Sequence, residues 1–276
     1  MKPPVLIAVD LDGTLIGPSL QIDERDRDAI AQAIAGGSTI CLATGRLFAA
    51  ARPFASALNL RGPMIVLNGA ALYDVPSGAR LAATPLAAHT ALIAYDALKA
   101  DGFHLQLYFG DMLYLDELDD RARGYLELSH VEPVMVEDLR PLLDGSPPGD
   151  VGPMKVLAID APAHVEAFIP KLAAQLGDAA AVFRSQRNYL EVTDPEANKG
   201  HALARIAKTM GLELGDVAAI GDSDNDVPMF HAAGHSFAVA NATPAARAAA
   251  QRVVAAQDRA GVAEALQLLM NGQTVG

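Results

Sequence analysis

Val5-Leu6-Ile7-Ala8-Val9-Asp10-Leu11-Asp12-Gly13-Thr14-Leu15 decides the fold of this chain. Apolar, mostly branched residues run unbroken from Val5 to Val9, and then two carboxylates arrive two positions apart. An uninterrupted apolar run this short reads as a strand covered on both faces, the habit of parallel sheets. Ligands of such sheets sit just beyond the carboxyl ends of the strands, which is where Asp10 falls. Asp12 follows on the exit turn, and Gly13 lets the backbone bend away at low steric cost. Two carboxylates this close repel unless a cation lies between them or one keeps its proton. A hard cation such as magnesium would serve, and so would an acid working beside a nucleophile. Asp and Gly also favour turns, so the stretch taken alone fits a plain turn equally well.

Outward from it, strand and helix alternate. Ile22-Asp23-Glu24 opens a helix with Asp23 as N-cap, running through Ile30 and Ile34 to a stop at Gly36-Gly37. Ser38 to Ala43 is a second apolar strand, ending in Thr44-Gly45-Arg46 and followed by a helix to about Leu58. Pro63 to Leu67 is a third, ending in Asn68-Gly69. This alternation predicts an α/β fold, a doubly wound parallel sheet with helices on both faces.

The rhythm then changes. Leu86 to Ala100 reads as an amphipathic helix, and His104 to Phe109 with Met112 to Leu115 as a hairpin around Gly110-Asp111. Lys155 to Ile159 reads as a strand, Val165 to Leu176 as a helix, and Ala181 to Arg184 with Tyr189 to Val192 as a closing hairpin. Hairpins in place of crossovers point to a separate α+β unit with an antiparallel sheet. From Asn198 the first rhythm returns, with a helix from Lys199 to Met210 and strands at Val217 to Ile220, Ser236 to Val239 and Val253-Val254. The expected organisation is one core, residues 1–82 and 189–276, split by an inserted domain, residues 83–188.

At 276 residues and 51% hydrophobic content the chain can bury a large core and is not a disordered one. Aromatics are 5% and Trp is absent, so that core is aliphatic. A net charge of −12 argues against a nucleic-acid surface, and an anionic substrate would need local cations or a metal. The lone Cys41 excludes an internal disulfide and a cysteine zinc site, and inside an apolar run it reads as a small buried hydrophobe. A reducing cytoplasm fits that usage. The first residues lead straight into the strand without a charged-then-apolar leader, and no apolar segment is long enough to span a bilayer. Neither nucleic acid nor membrane is expected as a partner.

Four short motifs fall at strand ends or helix starts of the split core. They are Asp10-x-Asp12-Gly13-Thr14, Thr44-Gly45-Arg46, Asn198-Lys199-Gly200 and Gly221-Asp222-x-x-Asn225-Asp226. Each has an ordinary reading by itself: a turn, a solvated helix-start lysine slightly disfavoured by the helix dipole, a solvated acidic loop. Their coincidence with strand ends is what counts, because parallel strand ends converge on one edge and can bring distant residues into one pocket. No G-x-G-x-x-G follows a strand and no Walker-type loop occurs, which disfavours a dinucleotide-binding enzyme.

In these motifs, and in the position and size of the insertion, the sequence resembles the haloacid dehalogenase superfamily of aspartyl phosphotransferases, most closely the Cof-type hydrolases with an inserted α/β cap. The resemblance implies a Rossmann-like core and an α+β cap. It implies magnesium-dependent hydrolysis of phosphate monoesters of small metabolites, with sugar phosphates suggested by family habit, through an aspartyl-phosphate intermediate. Asp10 would be the nucleophile. Asp12 would protonate the leaving oxygen and then deprotonate the attacking water. Lys199 would neutralise the transferred group, and Thr44 would hydrogen-bond a phosphoryl oxygen. Gly45, Arg46 and Asn225 would complete the phosphate and substrate contacts, although Arg46 could equally reach the cap or form a surface salt bridge. Mg2+ would be held by Asp10, the backbone carbonyl of Asp12 and Asp222, with Asp226 behind them near Lys199.

In the inserted segment Arg184, Arg187, Asn188 and His104 are polar candidates to face substrate, each with a solvated position as the plainer reading. His130 and His164 read as surface residues, and Tyr108 and Phe109 as hairpin packing. The partner expected is a small phosphorylated metabolite, and the chain a monomer or homodimer. Two rivals stand. A phosphomutase or phosphotransferase of the same superfamily would pass the phosphoryl group to a second hydroxyl. A non-hydrolytic phospho-acceptor or binding module, such as a receiver domain, would leave the insertion unexplained.

Overall fold

A computed structural model describes residues 5–129, 131–145 and 147–272, so the expectation for His130 lies outside the described residues. The chain runs through β1 (Leu6–Val9), α1 (Glu24–Ala35), β2 (Thr39–Leu42), α2 (Phe48–Ala57), β3 (Pro63–Val66), β4 (Ala71–Asp74) and β5 (Arg80–Ala83). Next come α3 (Ala88–Ala100), β6 (His104–Phe109), β7 (Met112–Leu115), α4 (Asp120–Ser129), β8 (Val134–Met135), α5 (Pro141–Asp144), β9 (Pro153–Ile159), α6 (Pro162–Leu176), β10 (Ala181–Gln186) and β11 (Tyr189–Thr193). It ends with α7 (Lys199–Thr209), β12 (Val217–Gly221), α8 (Val227–Ala232), β13 (His235–Val239), α9 (Pro244–Ala249), β14 (Arg252–Val254) and α10 (Gly261–Met270). Two compact units result, Met1–Gly45 with Ala51–Leu81 and Asn198–Gly276, and Arg46–Ala50 with Ala82–Ala197.

In the first unit the strands pair in the order β14-β13-β12-β1-β2, every pair parallel. Leu6, Ile7, Ala8 and Val9 are fully buried, as a strand covered on both faces requires. The chain leaves β1 for β2 on one side and later returns to β12 on the other. The topological switch point therefore lies between β1 and β12, where open α/β sheets place their ligands. Asp23 caps α1 by accepting the Arg25 N–H at 2.9 Å, and the apolar stripe Ala29, Ile30 and Ala33 is buried. Helix α1 packs on α10, and α7 on α8.

The third strand departs from expectation. β3 touches β2 only through the parallel bridge Ala43–Ile65, and otherwise pairs antiparallel with β4 in the sheet β3-β4-β5. The turn at Asn68-Gly69 reverses the chain there instead of starting a crossover.

The second unit holds a sheet in the order β10-β11-β9-β6-β7-β8, antiparallel except for the short β7–β8 pair. Leu105, Leu107, Phe109, Val156, Ala158, Leu190 and Val192 form its core with Tyr95 and Leu98 of α3 and Phe168 and Leu172 of α6. The alternate residues His104, Gln106, Tyr108, Lys155 and Glu191 are buried too, and Lys155 pairs with Glu191 at 3.2 Å. The solvated position expected for His104 is thus corrected. Its ring is 3% exposed and Nδ1 lies 3.3 Å from Asp119 Oδ1, because both faces of β6 are covered. Arg184 and Arg187 are exposed, Arg184 lying 3.9 Å from Glu166.

Candidate active site

Asp10 is the first residue past β1, and its N–H continues the ladder by donating to the Ile220 carbonyl at 2.9 Å. That bond sets it beside the end of β12, where Gly221 leads into Asp222. Lys199 is the first residue of α7, following the N-cap Asn198, whose Oδ1 accepts the His201 N–H at 2.9 Å. Lys199 Nζ donates to Asp10 Oδ1 and to Asp226 Oδ1, each at 2.6 Å. Lys199 and Asp226 are fully buried. A cation at a helix start gains nothing from the helix dipole, so these carboxylates hold it there.

The turn after β3 fixes where α7 begins. Gly69 has φ +103, and a Cβ on it would stand 2.3 Å from the Asn198 carbonyl oxygen. Only glycine allows that backbone-to-backbone approach one residue before Lys199.

Asp226 is fully engaged. Its Oδ1 takes Lys199, and its Oδ2 accepts the N–H groups of Asp222 and Ser223, both at 2.9 Å. It therefore pins the ammonium and closes the acidic loop at once. Asp222 Oδ1 accepts the Thr14 hydroxyl at 3.1 Å. Asp10 Oδ2 is buried and meets no hydrogen-bond donor among the described residues.

Carboxylate oxygens of Asp10, Asp222 and Asp226 lie within 4.8 Å of one another. Burial pushes the Asp10 carboxyl well above its ordinary value, with Lys199 opposing and Asp226 and Asp222 adding to the rise. Burial, then the Asp226 charge, lifts Asp222 to about 6. Burial works against the charge on Lys199, but Asp10 and Asp226 outweigh it and hold the ammonium above its usual range. Three carboxylates against one ammonium leave a deficit that a divalent cation would cancel, and a small hard ion takes just such oxygen donors. The unpartnered Oδ2 of Asp10 and the Asp222 carboxyl fit as ligands. Asp226, with both oxygens engaged, fits as their support.

Asp12 is an exposed residue of the turn after β1, outside the buried carboxylate group, and its backbone bridges to Ile16. Thr44 is 1% exposed at the end of β2, its N–H donating to Ile65 O at 2.9 Å and its carbonyl accepting the Asn68 N–H at 3.0 Å. Gly45 follows in the first unit, whereas Arg46 falls in the second. Asn225 Nδ2 donates to Asn68 Oδ1 at 2.9 Å, and Asn225 Oδ1 is buried with no donor among the described residues.

Sequence reasoning assigned no part to several residues that hold this cluster. Thr14 anchors Asp222 from inside a motif already singled out. Asn68 joins Asn225 to Thr44, but Asn-Gly at a strand end carries only a turn signal. Asn241 Nδ2 donates to Gly13 O and its Oδ1 accepts the Gln257 N–H, both at 2.8 Å. The Thr243 N–H donates to Asp222 O at 2.7 Å. Nothing local in the sequence marks these last two.

A parallel α/β core with acids and a buried ammonium at its switch point fits the class of phosphoryl-transfer enzymes. A family model described as haloacid dehalogenase-like hydrolase matches residues 7–266, and the chain belongs to that family. Within it the protein is a Cof-type phosphatase, a phosphoric monoester hydrolase. It is 29% identical over 289 residues, covering 97% of this chain and 98% of the relative, to 5-amino-6-(5-phospho-D-ribitylamino)uracil phosphatase YwtE of Bacillus subtilis.

 A second Bacillus subtilis protein, YxeH, is also 29% identical, over 268 residues, covering 96% of this chain and 98% of that relative. Among solved structures, TM0651 from Thermotoga maritima is similar at 27% identity, covering 97% of each chain with a TM-score of 0.83. No helix among the described residues is long and apolar enough to cross a membrane.

Proposed function

We propose that this phosphatase hydrolyses phosphate monoesters of small metabolites, sugar phosphates among them, in a Mg2+-dependent reaction through an aspartyl phosphate on Asp10. The observation that carries the reading is the buried Lys199 ammonium, 2.6 Å from both Asp10 and Asp226, beside an Asp10 oxygen that meets no donor among the described residues. In the first step an Asp10 oxygen bonds to phosphorus, the bond from phosphorus to the leaving oxygen breaks, and Asp12 gives that oxygen its proton. In the second, Asp12 takes a proton from water, the water oxygen bonds to phosphorus, and the bond to Asp10 breaks. Phosphate leaves and both side chains are restored. Lys199 holds charge on the transferred group, Asp226 holds Lys199, and Thr44, Gly45 and Asn225 bind the phosphoryl oxygens. Asp10, Asp222 and the Asp12 carbonyl would hold Mg2+, which when bound supplies the remaining charge cancellation.

Residues 83–188 are the proposed substrate-selecting domain, with Arg46 as a further substrate contact. That YwtE is named for a phosphorylated ribityl compound supports a small phosphorylated metabolite as substrate. The net charge of −12 argues against a nucleic-acid partner, and the single buried Cys41 supports a cytoplasmic location; the enzyme is proposed to act as a monomer or homodimer. The test is a panel of phosphorylated metabolites with Mg2+, reading free phosphate. Turnover with release of inorganic phosphate is expected, and its loss on chelation. Transfer to a second hydroxyl without phosphate release would contradict the reading.

A further inference from the structure

Three successive residues after β3 take left-handed backbone: Leu67 at φ 50, Asn68 at φ 56 and Gly69 at φ +103. Side chains other than glycine rarely adopt it, and such runs persist where the surroundings over-determine them. Asn68 is 4% exposed. Its Oδ1 accepts from Asn225 Nδ2 at 2.9 Å, and its N–H donates to the Thr44 carbonyl at 3.0 Å. A Cβ on Gly45 would stand 3.0 Å from the same Oδ1, so the Thr44-Gly45 turn packs directly on this carboxamide. Asn68 thus touches two phosphate-binding elements that lie far apart in the chain.

We propose that Asn68 is a positioning residue of the phosphate site, fixing the Asn225 carboxamide and the Thr44-Gly45 turn before the phosphoryl group arrives. The proposal rests on the reading of Thr44 and Asn225 as phosphate binders. Asn225 Nδ2 carries two hydrogens. One is committed to Asn68, which sets the amide plane and leaves the other for an anion. Residue type follows from the same geometry. Asparagine tolerates left-handed backbone and supplies a neutral acceptor. Aspartate would bring a carboxylate beside the anion, and glycine would satisfy the backbone alone.

That difference makes the test. Asn68→Gly keeps the left-handed backbone and deletes only the carboxamide. Inorganic phosphate is titrated calorimetrically into the full chain with Mg2+ present, for wild type, Asn68→Gly, Asn225→Ala and the double variant. Asn68→Gly is expected to melt within a few degrees of wild type and to bind phosphate about tenfold more weakly. For a phosphate ester, KM should rise more than kcat falls. The double variant should lose less than the sum of the two single losses, since the share that Asn68 exerts through Asn225 is already gone. Wild-type phosphate affinity in Asn68→Gly, or losses that add, would overturn the proposal. Wild-type affinity in Asn225→Ala would overturn the phosphate-binding reading of Asn225 and the proposal with it. Should Asn68→Gly melt far lower, Asn68→Ser enters the same cycle with the same expected and contrary results.

Discussion

Gly13 and Asp222 are packed so closely that a Cβ on Gly13 would stand 2.4 Å from Asp222 Oδ2. Gly13 also has φ +88, so the residue after Asp12 is held to glycine by backbone and by contact alike. Gly13→Ala must displace the Asp222 carboxyl. Its expected cost is about 1–3 kcal/mol of stability and a larger loss of turnover, on the order of 100-fold, as expected when reacting groups shift by an ångström. The Mg2+ concentration for half-maximal activity should rise. Chemical unfolding and a Mg2+ titration of rate check both.

Replacing Lys199 leaves two buried carboxylates facing each other without their cation. Lys199→Met should cost about 3–5 kcal/mol at pH 8. The stranded Asp10 then favours its protonated form all the more, because burial already lifts its folded pKa above the unfolded one and Lys199 no longer opposes. The deficit should shrink as pH falls towards 5. Urea unfolding of both proteins at the two pH values measures it, and a deficit independent of pH would count against the charge argument.

Asp26 is a buried acid outside the Asp10-Asp222-Asp226 group. Its Oδ1 accepts the Ala263 N–H of α10 at 2.7 Å, while its Oδ2 is buried without a donor among the described residues. Burial lifts its carboxyl to about 6, the Ala263 bond opposing. A folded pKa above the unfolded one favours the protonated folded state, so stability falls as pH rises from about 4 to 6 and then levels off. Asp26→Asn should stabilise the protein by about 1–2 kcal/mol at pH 7.5 and by little at pH 4. Unfolding midpoints at the two pH values give the answer.

His164 in the second unit sits between two acids, with Nε2 2.6 Å from Asp101 and Nδ1 3.0 Å from Asp160, and its ring stacks on Phe103 at 4.3 Å. The Asp101 and Asp160 bonds raise its pKa above the ordinary value. A raised histidine adds stability that is complete below the unfolded pKa near 6.5 and disappears as pH rises through the folded one. His164→Gln should therefore melt lower than wild type at pH 6 and equal to it at pH 9. An NMR titration placing His164 at or below the ordinary histidine value would contradict this.

The parallel core was legible because its strands are continuous apolar runs and its motifs stand at their ends. Lys199 and Asp226 were legible as candidates, but their shared burial with Asp10 was not, since it depends on three loops meeting. β4 escaped notice because Ala71–Asp74 follows Asn68-Gly69 at once and is masked by a turn signal. β5 is only partly buried and lacks alternation. Asn68 looked like punctuation because its partners, Thr44 and Asn225, are far off in the chain. Asp26 lies in the first turn of α1, where any acid suits the helix dipole, and only the packing of α10 on α1 shows it to be buried. His104 looked solvated because the alternation of β6 promises one wet face, whereas both are covered.

The central claim is that Asp10 carries the phosphoryl group during turnover. Borohydride added during steady-state turnover reduces an aspartyl phosphate to homoserine, which peptide mass spectrometry can place in the sequence. Homoserine is expected at position 10 in the wild type, none there in Asp10→Asn, and no turnover by that variant. Homoserine at another aspartate, or wild-type turnover by Asp10→Asn, would contradict it.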